Sequence, residues 1–310
     1  MTLNSSPLYY ETVEKLHFYC NFRILAIIAS KFIQQFCLKI HKFRYESEFL
    51  YSLIIEVMFI KPIQTRVLKP PQDDLLAAIQ TAAPSLPNKS ILAITSKVVS
   101  IWQGRCLAKE KFPDKDALII QEADKYLPRE LVPQGRVLLT IKNNLLVPTA
   151  GIDEINDYYI LWPDEPAKTA QQLYNWVRKT YKIKDFGLII TDSHSVPLRR
   201  GTLGLALAHH GFSPVKDYRG TLGLYGRILQ VTQANIADGL AAAAVAAMGE
   251  GAETTPLALI TDLADIQFDD KPIISDKPFS TFQVEEKEDL YYPLLTALPW
   301  QEGGHGFICD

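Results

Sequence analysis

The stretch FGLIITDSHSVPLRRG, residues 186–201, decides the fold that we predict for this chain of 310 residues. The apolar and small residues 187–191 predict a strand buried on both faces, because the run is short, continuous and followed by turn residues. The chain then breaks into Asp192-Ser193-His194-Ser195, turns at Pro197 and reaches Arg199-Arg200-Gly201. The stretch therefore predicts a strand of an α/β-type layer that leads directly into a polar segment.

The residues that leave this strand suit a metal ion and an anion. Asp192 and Ser193 follow the strand at its carboxyl end, where α/β proteins tend to bind ligands. Arg199 and Arg200 supply planar guanidinium groups that match carboxylate or phosphate. These residues predict a site for a metal and an anionic substrate. An Asx-turn followed by a surface arginine pair is the alternative that the stretch alone leaves open.

Composition is typical of a soluble globular protein. Hydrophobic residues make up 47% and charged residues 22% of the chain, which allows a sizeable core. The formal net charge of −3 gives no basic field for nucleic acid or for an anionic membrane surface. The four cysteines are far apart and form no CxxC pair, which excludes a zinc ribbon and favours a reducing cytoplasm. We therefore expect a cytoplasmic protein without nucleic acid as a partner, and the composition argues against a membrane partner.

Residues 1–57 differ from the rest of the chain and predict a helical extension. An apolar stripe with the spacing of an amphipathic helix runs through Ile24, Ile27, Ile28, Phe32 and Phe36. A membrane-surface helix, an interaction arm and translated upstream sequence foreign to the native protein all remain open. Met58 opens a compact domain that we expect to span residues 58–310, and we favour Met58 as the natural start.

The order of elements after Met58 predicts a domain that mixes strands and helices. Strands are expected at residues 59–68, 90–95, 136–142, 145–148, 228–232 and 257–261, with a hairpin turn at Asn143-Asn144. Helices are expected at residues 75–81, 112–126, 167–181 and 233–248. The last helix has an apolar stripe at Ile236, Leu240, Ala243 and Ala247. The adjacent histidines His209 and His210 point in opposite directions on a regular element, so they predict a structural role.

Three further positions supply chemistry for the site. Lys97, just beyond the strand at 90–95, offers a point charge for phosphate, with a plain surface lysine as the alternative. Asp153 lies in a second acidic turn with Asn156, and it pairs naturally with Asp192 as a ligand of Mg²⁺ or Mn²⁺, although ordinary Asx-turns remain the alternative. Glu250 follows a helix end whose dipole disfavours a carboxylate, so it needs a cation as partner.

Five ordered motifs resemble those of the coenzyme F420:L-glutamate ligase family. They are TSKVVS at 95–100 with Gly104-Arg105, AGID-x-x-N at 150–156, ITDS…RRG at 190–201, DYRG at 217–220 and AAAAxxxMGE at 241–250. The resemblance spans about residues 59–262. The common glycine-rich nucleotide cradles, GxxxxGK[ST] and GxGxxG after a strand, are absent from the sequence.

The resemblance implies a fold class and an activity. The fold would be α+β, with a mixed sheet packed with helices in a two-lobed ligase domain, and the protein would be a homodimer. The activity would be that of a GTP-dependent, divalent-metal amide ligase that adds L-glutamate to an anionic deazaflavin acceptor through an acyl phosphate. Bacterial proteins with this motif set are also labelled folate γ-glutamate ligases, so the acceptor stays open. A metal-dependent phosphohydrolase and a non-catalytic nucleotide-binding protein remain as alternatives.

The resemblance also assigns roles to residues of this chain. One Mg²⁺ or Mn²⁺ would be held by Asp153 and Asp192, and a second by Ser193 and Glu250. The charges of the side chains, and not the resemblance, lead us to expect that Lys97 binds phosphate during catalysis and that Arg199 and Arg200 orient the acceptor or glutamate. GTP would contact the loop 248–255 and, by name, Thr65, Arg66, Val67, Leu68, Ser96, Lys97, Asn156, Met248, Gly249, Glu250 and Gly251. Ile101 stands where the family often has a second lysine, which leaves GTP or ATP open.

Overall fold

The computed structural model describes residues 58–263, 265–269 and 282–304. The strands are β1 (Phe59–Ile63), β2 (Ser90–Thr95), β3 (Cys106–Ala108), β4 (Lys125–Leu127), β5 (Leu139–Lys142), β6 (Leu145–Pro148), β7 (Asp153–Ile155), β8 (Tyr158–Ile160), β9 (Phe186–Ser195), β10 (Thr202–His210), β11 (Val215–Asp217), β12 (Gln233–Asn235), β13 (Leu257–Thr261) and β14 (Gln301–Glu302). The helices are α1 (Leu75–Ala82), α2 (Ser96–Gln103), α3 (Lys115–Glu122), α4 (Pro166–Tyr181), α5 (Ile236–Met248) and α6 (Tyr292–Thr296). Residues 1–57 lie outside the described ranges, so the helical extension and the domain boundary stay predictions.

A five-stranded mixed sheet forms the centre of the fold, in the order β1-β13-β2-β9-β10. Strands β2 and β9 run parallel, and the other neighbouring pairs are antiparallel. The strand predicted at 90–95 is β2 with the same bounds, and the strand predicted at 257–261 is β13. Both are continuous apolar runs because both faces of this sheet are covered. The predicted α+β class with a mixed sheet is confirmed.

Helices cover the two faces of the central sheet. On one face α5 packs through Ala237, Ala241 and Ala244, which are fully buried. A Cβ atom on Gly204 of β10 would lie only 2.4 Å from the carbonyl oxygen of Ala241, so the helix backbone rests almost directly on the strand. On the opposite face, α1, α2 and α4 form the larger core.

A third, smaller core forms the other lobe. Leu118 and Ile119 of α3 pack there with Ile152 and Tyr159. This lobe contains a four-stranded sheet in the order β14-β4-β5-β6 and a three-stranded sheet in the order β3-β8-β7. The hairpin between β5 and β6 turns at Asn143 and Asn144 as predicted, with positive φ at both residues. This core, separate from those on the two faces of the central sheet, agrees with the predicted two-lobed domain.

Several predicted boundaries are wrong. Strand β1 ends at Ile63 rather than residue 68, and the helix predicted at 112–126 is only α3, followed by strand β4. Residues 228–232 form no strand beyond an isolated bridge between Leu222 and Ile228. Helix α5 begins at residue 236, because the Asn235 side chain caps it by accepting from the Asp238 N–H. Its buried face shares only Leu240 with the predicted stripe.

No helix in the described ranges is long and apolar enough to cross a membrane.

Candidate active site

The candidate site lies where β2 and β9 cease to run side by side. Thr95, the last residue of β2, pairs with Thr191, while β9 continues against β10 with Asp192 opposite Leu205. The prediction that Asp192 to Ser195 leave the strand is therefore wrong, since pairing with β10 extends β9 through them. Helix α2 begins at Ser96, next to the end of β2. Asp192 thus follows the last parallel pair, and Lys97 lies in the first turn of the adjacent helix.

A cavity of about 270 Å³ opens at this point. Its wall consists of residues 65–68 after β1, the start of α2 with Lys97, Asp192 and Ser193 of β9, and the loop 248–256 after α5. Backbone hydrogen bonds tie these segments together. The Thr65 N–H donates to the Thr254 carbonyl, and the Thr95 N–H donates to the Pro256 carbonyl, each at 3.0 Å.

Lys97 and three carboxylates form what we call the Lys97 cluster: Lys97, Asp153, Asp192 and Glu250. Lys97 Nζ lies 2.8 Å from Asp153 Oδ2. Burial lowers the pKa of Lys97, but the negative charges of Asp153, Asp192 and Glu250 act against it, and the pKa is raised above its ordinary value. The cluster therefore has one cation and three carboxylates, of which Asp192 and Glu250 line the cavity together with Lys97.

Asp192 is the most deeply buried carboxylate of this cluster. It is 5% exposed, and burial raises the pKa of its carboxyl to about 6, although the charge of Lys97 acts in the opposite direction. The Trp162 indole Nε1–H donates to Asp192 Oδ2 at 2.5 Å. An ionised carboxylate in such a position is costly unless positive charge lies close to it.

The donors of the Lys97 cluster suit a hard divalent cation. Carboxylates and the hydroxyl of Ser193 are the oxygen ligands that Mg²⁺ and Mn²⁺ prefer, and the carboxylates already surround one positive charge. Among the described residues, no group of three or more His, Cys, Asp or Glu side chains could hold a metal ion by itself. The arrangement therefore fits a cation that takes its remaining ligands from phosphate and water.

The structure brings most of the predicted site residues to one cavity. Its wall contains Thr65, Arg66, Val67, Leu68, Lys97, Asp192, Ser193, Met248, Gly249, Glu250 and Gly251. Asp153 is joined to them through Lys97. Asp153 and four other predicted residues do not line the cavity: Ser96 is buried at the start of α2, Asn156 is exposed between β7 and β8, and Arg199 and Arg200 are exposed after β9. Their roles stay predictions.

Two contacts at the site were missed by sequence reasoning. Trp162 lies in an apolar run, where nothing distinguishes a side chain that bonds to a carboxylate. Glu253 accepts from the Gly251 N–H at 2.8 Å, and a Cβ on Gly249 would lie 2.5 Å from its carboxylate carbon. The spacing GEGAE could have indicated this contact, because a short glycine loop offers N–H groups to a nearby anion.

Comparison with known proteins agrees with the predicted resemblance. Residues 62–262 match the family described as F420-0:Gamma-glutamyl ligase. The coenzyme F420:L-glutamate ligase of Methanopyrus kandleri is 30% identical over 223 residues, which cover 66% of this chain and 86% of that protein. The proteins of the same name from Methanothermobacter thermautotrophicus and Methanosarcina barkeri are 28% and 30% identical over 60% and 56% of this chain, and over 80% and 74% of their own lengths. The chain therefore belongs to the F420-0:gamma-glutamyl ligase family.

Proposed function

We propose that this protein is a nucleotide- and divalent-metal-dependent amide ligase that joins L-glutamate to an acidic acceptor of the coenzyme F420 type. The observation that carries the proposal is the Lys97 cluster at the wall of the cavity, with more negative than positive groups. Such an excess of negative charge favours a divalent cation and, with it, the phosphates of a nucleotide. The names of the relatives supply glutamate and the acceptor.

Different residues of this chain would bind the metal ions and the nucleotide. Asp153 and Asp192 would hold one Mg²⁺ or Mn²⁺, and Ser193 with Glu250 a second. When bound, the cations supply neutralisation of the charge that develops on the transferred phosphoryl group. GTP would lie against residues 65–68 and the loop 248–251, with Ser96 and Asn156 as further contacts.

The reaction would proceed in two balanced steps. A carboxylate oxygen of the acceptor attacks the γ-phosphorus of GTP, and GDP leaves as the acyl phosphate forms. The glutamate amine then attacks the acyl carbon, phosphate leaves and the nitrogen loses a proton. Lys97 would bind the oxygens of the transferred phosphoryl group, and Arg199 and Arg200 would orient the acceptor or glutamate by bidentate contacts.

A nucleotide-cleavage assay tests this proposal. The protein is incubated with GTP or ATP, Mn²⁺, glutamate and either a deazaflavin or a folate acceptor, and phosphate release is measured with the product mass. We expect release only when glutamate and one acceptor are both present, with a mass gain of one or more glutamyl units. Release without them would indicate a phosphohydrolase, and no release in any mixture would indicate a binding protein; either result would contradict the proposal.

We also propose that the protein is a homodimer. Light scattering coupled to size-exclusion chromatography measures the mass of the particle directly. A mass of twice the 34.9 kDa chain is expected, and the mass of a single chain would contradict this part of the proposal.

A further inference from the structure

Trp162 contacts both segments that carry the predicted metal ligands. Its side chain is 2% exposed, and its Nε1–H donates to Asp192 on β9. The same edge of the indole lies against Gly151, two residues before Asp153. A Cβ built on Gly151 would lie 2.0 Å from Nε1 and 2.2 Å from Cε2 of Trp162. The turn that leads to Asp153 and the strand that carries Asp192 therefore meet on one aromatic ring.

A buried group of charged side chains contacts the backbone and the ring face of Trp162. We call it the Glu122 cluster: Arg105, Glu122 and Lys142. Arg105 Nε donates to the Trp162 carbonyl at 3.3 Å, and Lys142 Nζ lies 5.7 Å from the centroid of the indole ring. Glu122 accepts from Lys142 at 2.5 Å and from Arg105 at 3.1 Å. The backbone, one face and one edge of Trp162 are each in contact with a different group.

A fixed N–H donor restricts the orientation of the carboxylate that accepts from it. Partners of this kind set the orientation of metal ligands, and their loss typically weakens metal binding even though they never touch the metal. A site with carboxylates from two lobes also needs a fixed distance between them. Trp162 meets both requirements, because its N–H holds Asp192 and its edge supports the turn before Asp153.

We infer that Trp162 is a positioning residue, which orients Asp192 through its N–H and sets the separation of Asp192 from Asp153 through Gly151. This inference rests on the proposed function, because it assigns Trp162 to the divalent-cation site of that function. It adds a residue from outside the five motifs.

The test compares Trp162→Phe with a matched control, Trp300→Phe. Both substitutions remove an indole N–H donor and keep an aromatic ring, but Trp300 donates to the Leu295 carbonyl, at 2.6 Å, rather than to a carboxylate of the site. Free Mn²⁺ is measured by electron paramagnetic resonance during titration of each protein with a non-hydrolysable GTP analogue present. The KM for Mn²⁺ and kcat follow from the ligation assay.

We expect Trp162→Phe to weaken Mn²⁺ binding about 10- to 100-fold and to raise the KM for Mn²⁺ in parallel, while Trp300→Phe matches the natural protein in both. Unchanged Mn²⁺ binding and KM in Trp162→Phe would overturn the inference and leave the proposed function standing. If the natural protein itself bound no Mn²⁺ beside the GTP analogue, the proposed function would fall, and the inference with it.

A second measurement does not depend on Trp162→Phe being able to fold. Phenylalanine at Trp102, Trp176 and Trp300 leaves Trp162 as the one tryptophan of the chain. Addition of Mg²⁺ with the GTP analogue should shift the emission of Trp162, because the charge beside its N–H changes. An unchanged spectrum at Mg²⁺ concentrations that support turnover would overturn the inference.

Discussion

The Glu122 cluster and the Lys97 cluster both combine basic side chains with carboxylates, but the Glu122 cluster has more basic groups and the Lys97 cluster has more carboxylates. In the Glu122 cluster one carboxylate meets two cations, and all three side chains are at most 13% exposed. In the Lys97 cluster one cation meets three carboxylates at the wall of a cavity. The first is closed and its carboxylate is compensated within the protein. The second is open, and its carboxylates outnumber its one cation.

This difference separates a cluster that holds the fold from one that can hold a ligand. A buried ion pair is costly to break, because removal of one partner leaves an uncompensated charge in a medium of low dielectric constant. A cluster with excess negative charge is instead stabilised by a cation from outside. We therefore expect substitutions in the Glu122 cluster to affect mainly stability, and substitutions in the Lys97 cluster to affect mainly activity.

The largest effect is expected for Asp192→Ala. Loss of the buried carboxylate removes a ligand that the proposed metal site needs throughout the reaction, so glutamate-dependent GDP formation should fall about 10³-fold or more. Asp157→Ala removes an exposed carboxylate near the β7–β8 turn and serves as the control with near-normal activity. Near-normal GDP formation by Asp192→Ala would contradict the assignment of the cavity as the active site.

Glu122→Gln tests the other cluster. It leaves Lys142 and Arg105 without their shared carboxylate, so the free energy of unfolding in urea should fall by about 3 kcal/mol or more. The control is Glu165→Gln, since Glu165 pairs with Lys168 at the surface, where both side chains are more than half exposed; its effect should stay below about 1 kcal/mol. Equal losses from the two substitutions would show that the Glu122 cluster does not stabilise the fold.

Lys97→Met should affect activity more than stability, the opposite of Glu122→Gln. We expect kcat to fall about 10²-fold, because a cation that faces the transferred phosphoryl group is lost. The free energy of unfolding should fall by less than in Glu122→Gln, since the Lys97 and Asp153 side chains are 34% and 40% exposed and only the buried Asp192 carboxylate loses a compensating charge. Urea unfolding and steady-state kinetics on the same preparation measure both quantities. A large loss of stability with unchanged kcat would make the Lys97 cluster structural, like the Glu122 cluster.

Two central strands and several charged residues of the site could be predicted from the sequence because their signals are local. Strands β2 and β13 are short apolar runs with turns on both sides, and such runs identify strands buried on two faces. Asp192 directly follows such a run, and Glu250 comes two residues after the end of helix α5. The other segments of the cavity wall, residues 65–68 and 248–251, were predicted from the resemblance of the motifs to the family and not from spacing along the chain.

Other features depend on contacts between distant segments. The continuation of β9 through Ser195 requires pairing with β10, which no window around Asp192 contains. Alanine occupies most of α5, so periodicity could not identify its buried face. The role of Trp162 depends on Asp192, thirty residues away. For Arg199 and Arg200, spacing does not determine where loop side chains point, and both are exposed outside the cavity wall.

His209 is a partly buried side chain that would gain a positive charge at acidic pH. The effect expected for its substitution is the smallest of the four. Its ring packs against Phe212 and Phe282, and burial, together with His210, lowers its pKa to about 4 from 6.5. The His209 imidazole takes up a proton near pH 6.5 in the unfolded chain and only near pH 4 in the folded chain. The contribution of neutral His209 to the free energy of unfolding is therefore fully present above pH 6.5 and is lost as pH falls from 6.5 to 4. At pH 5 the loss should be about 2 kcal/mol. The free energy of unfolding in urea is measured at pH 7 and at pH 5, and His209→Gln should reduce the difference between the two values by this amount. An equal difference in both proteins would mean that the folded protein accommodates the charged imidazole.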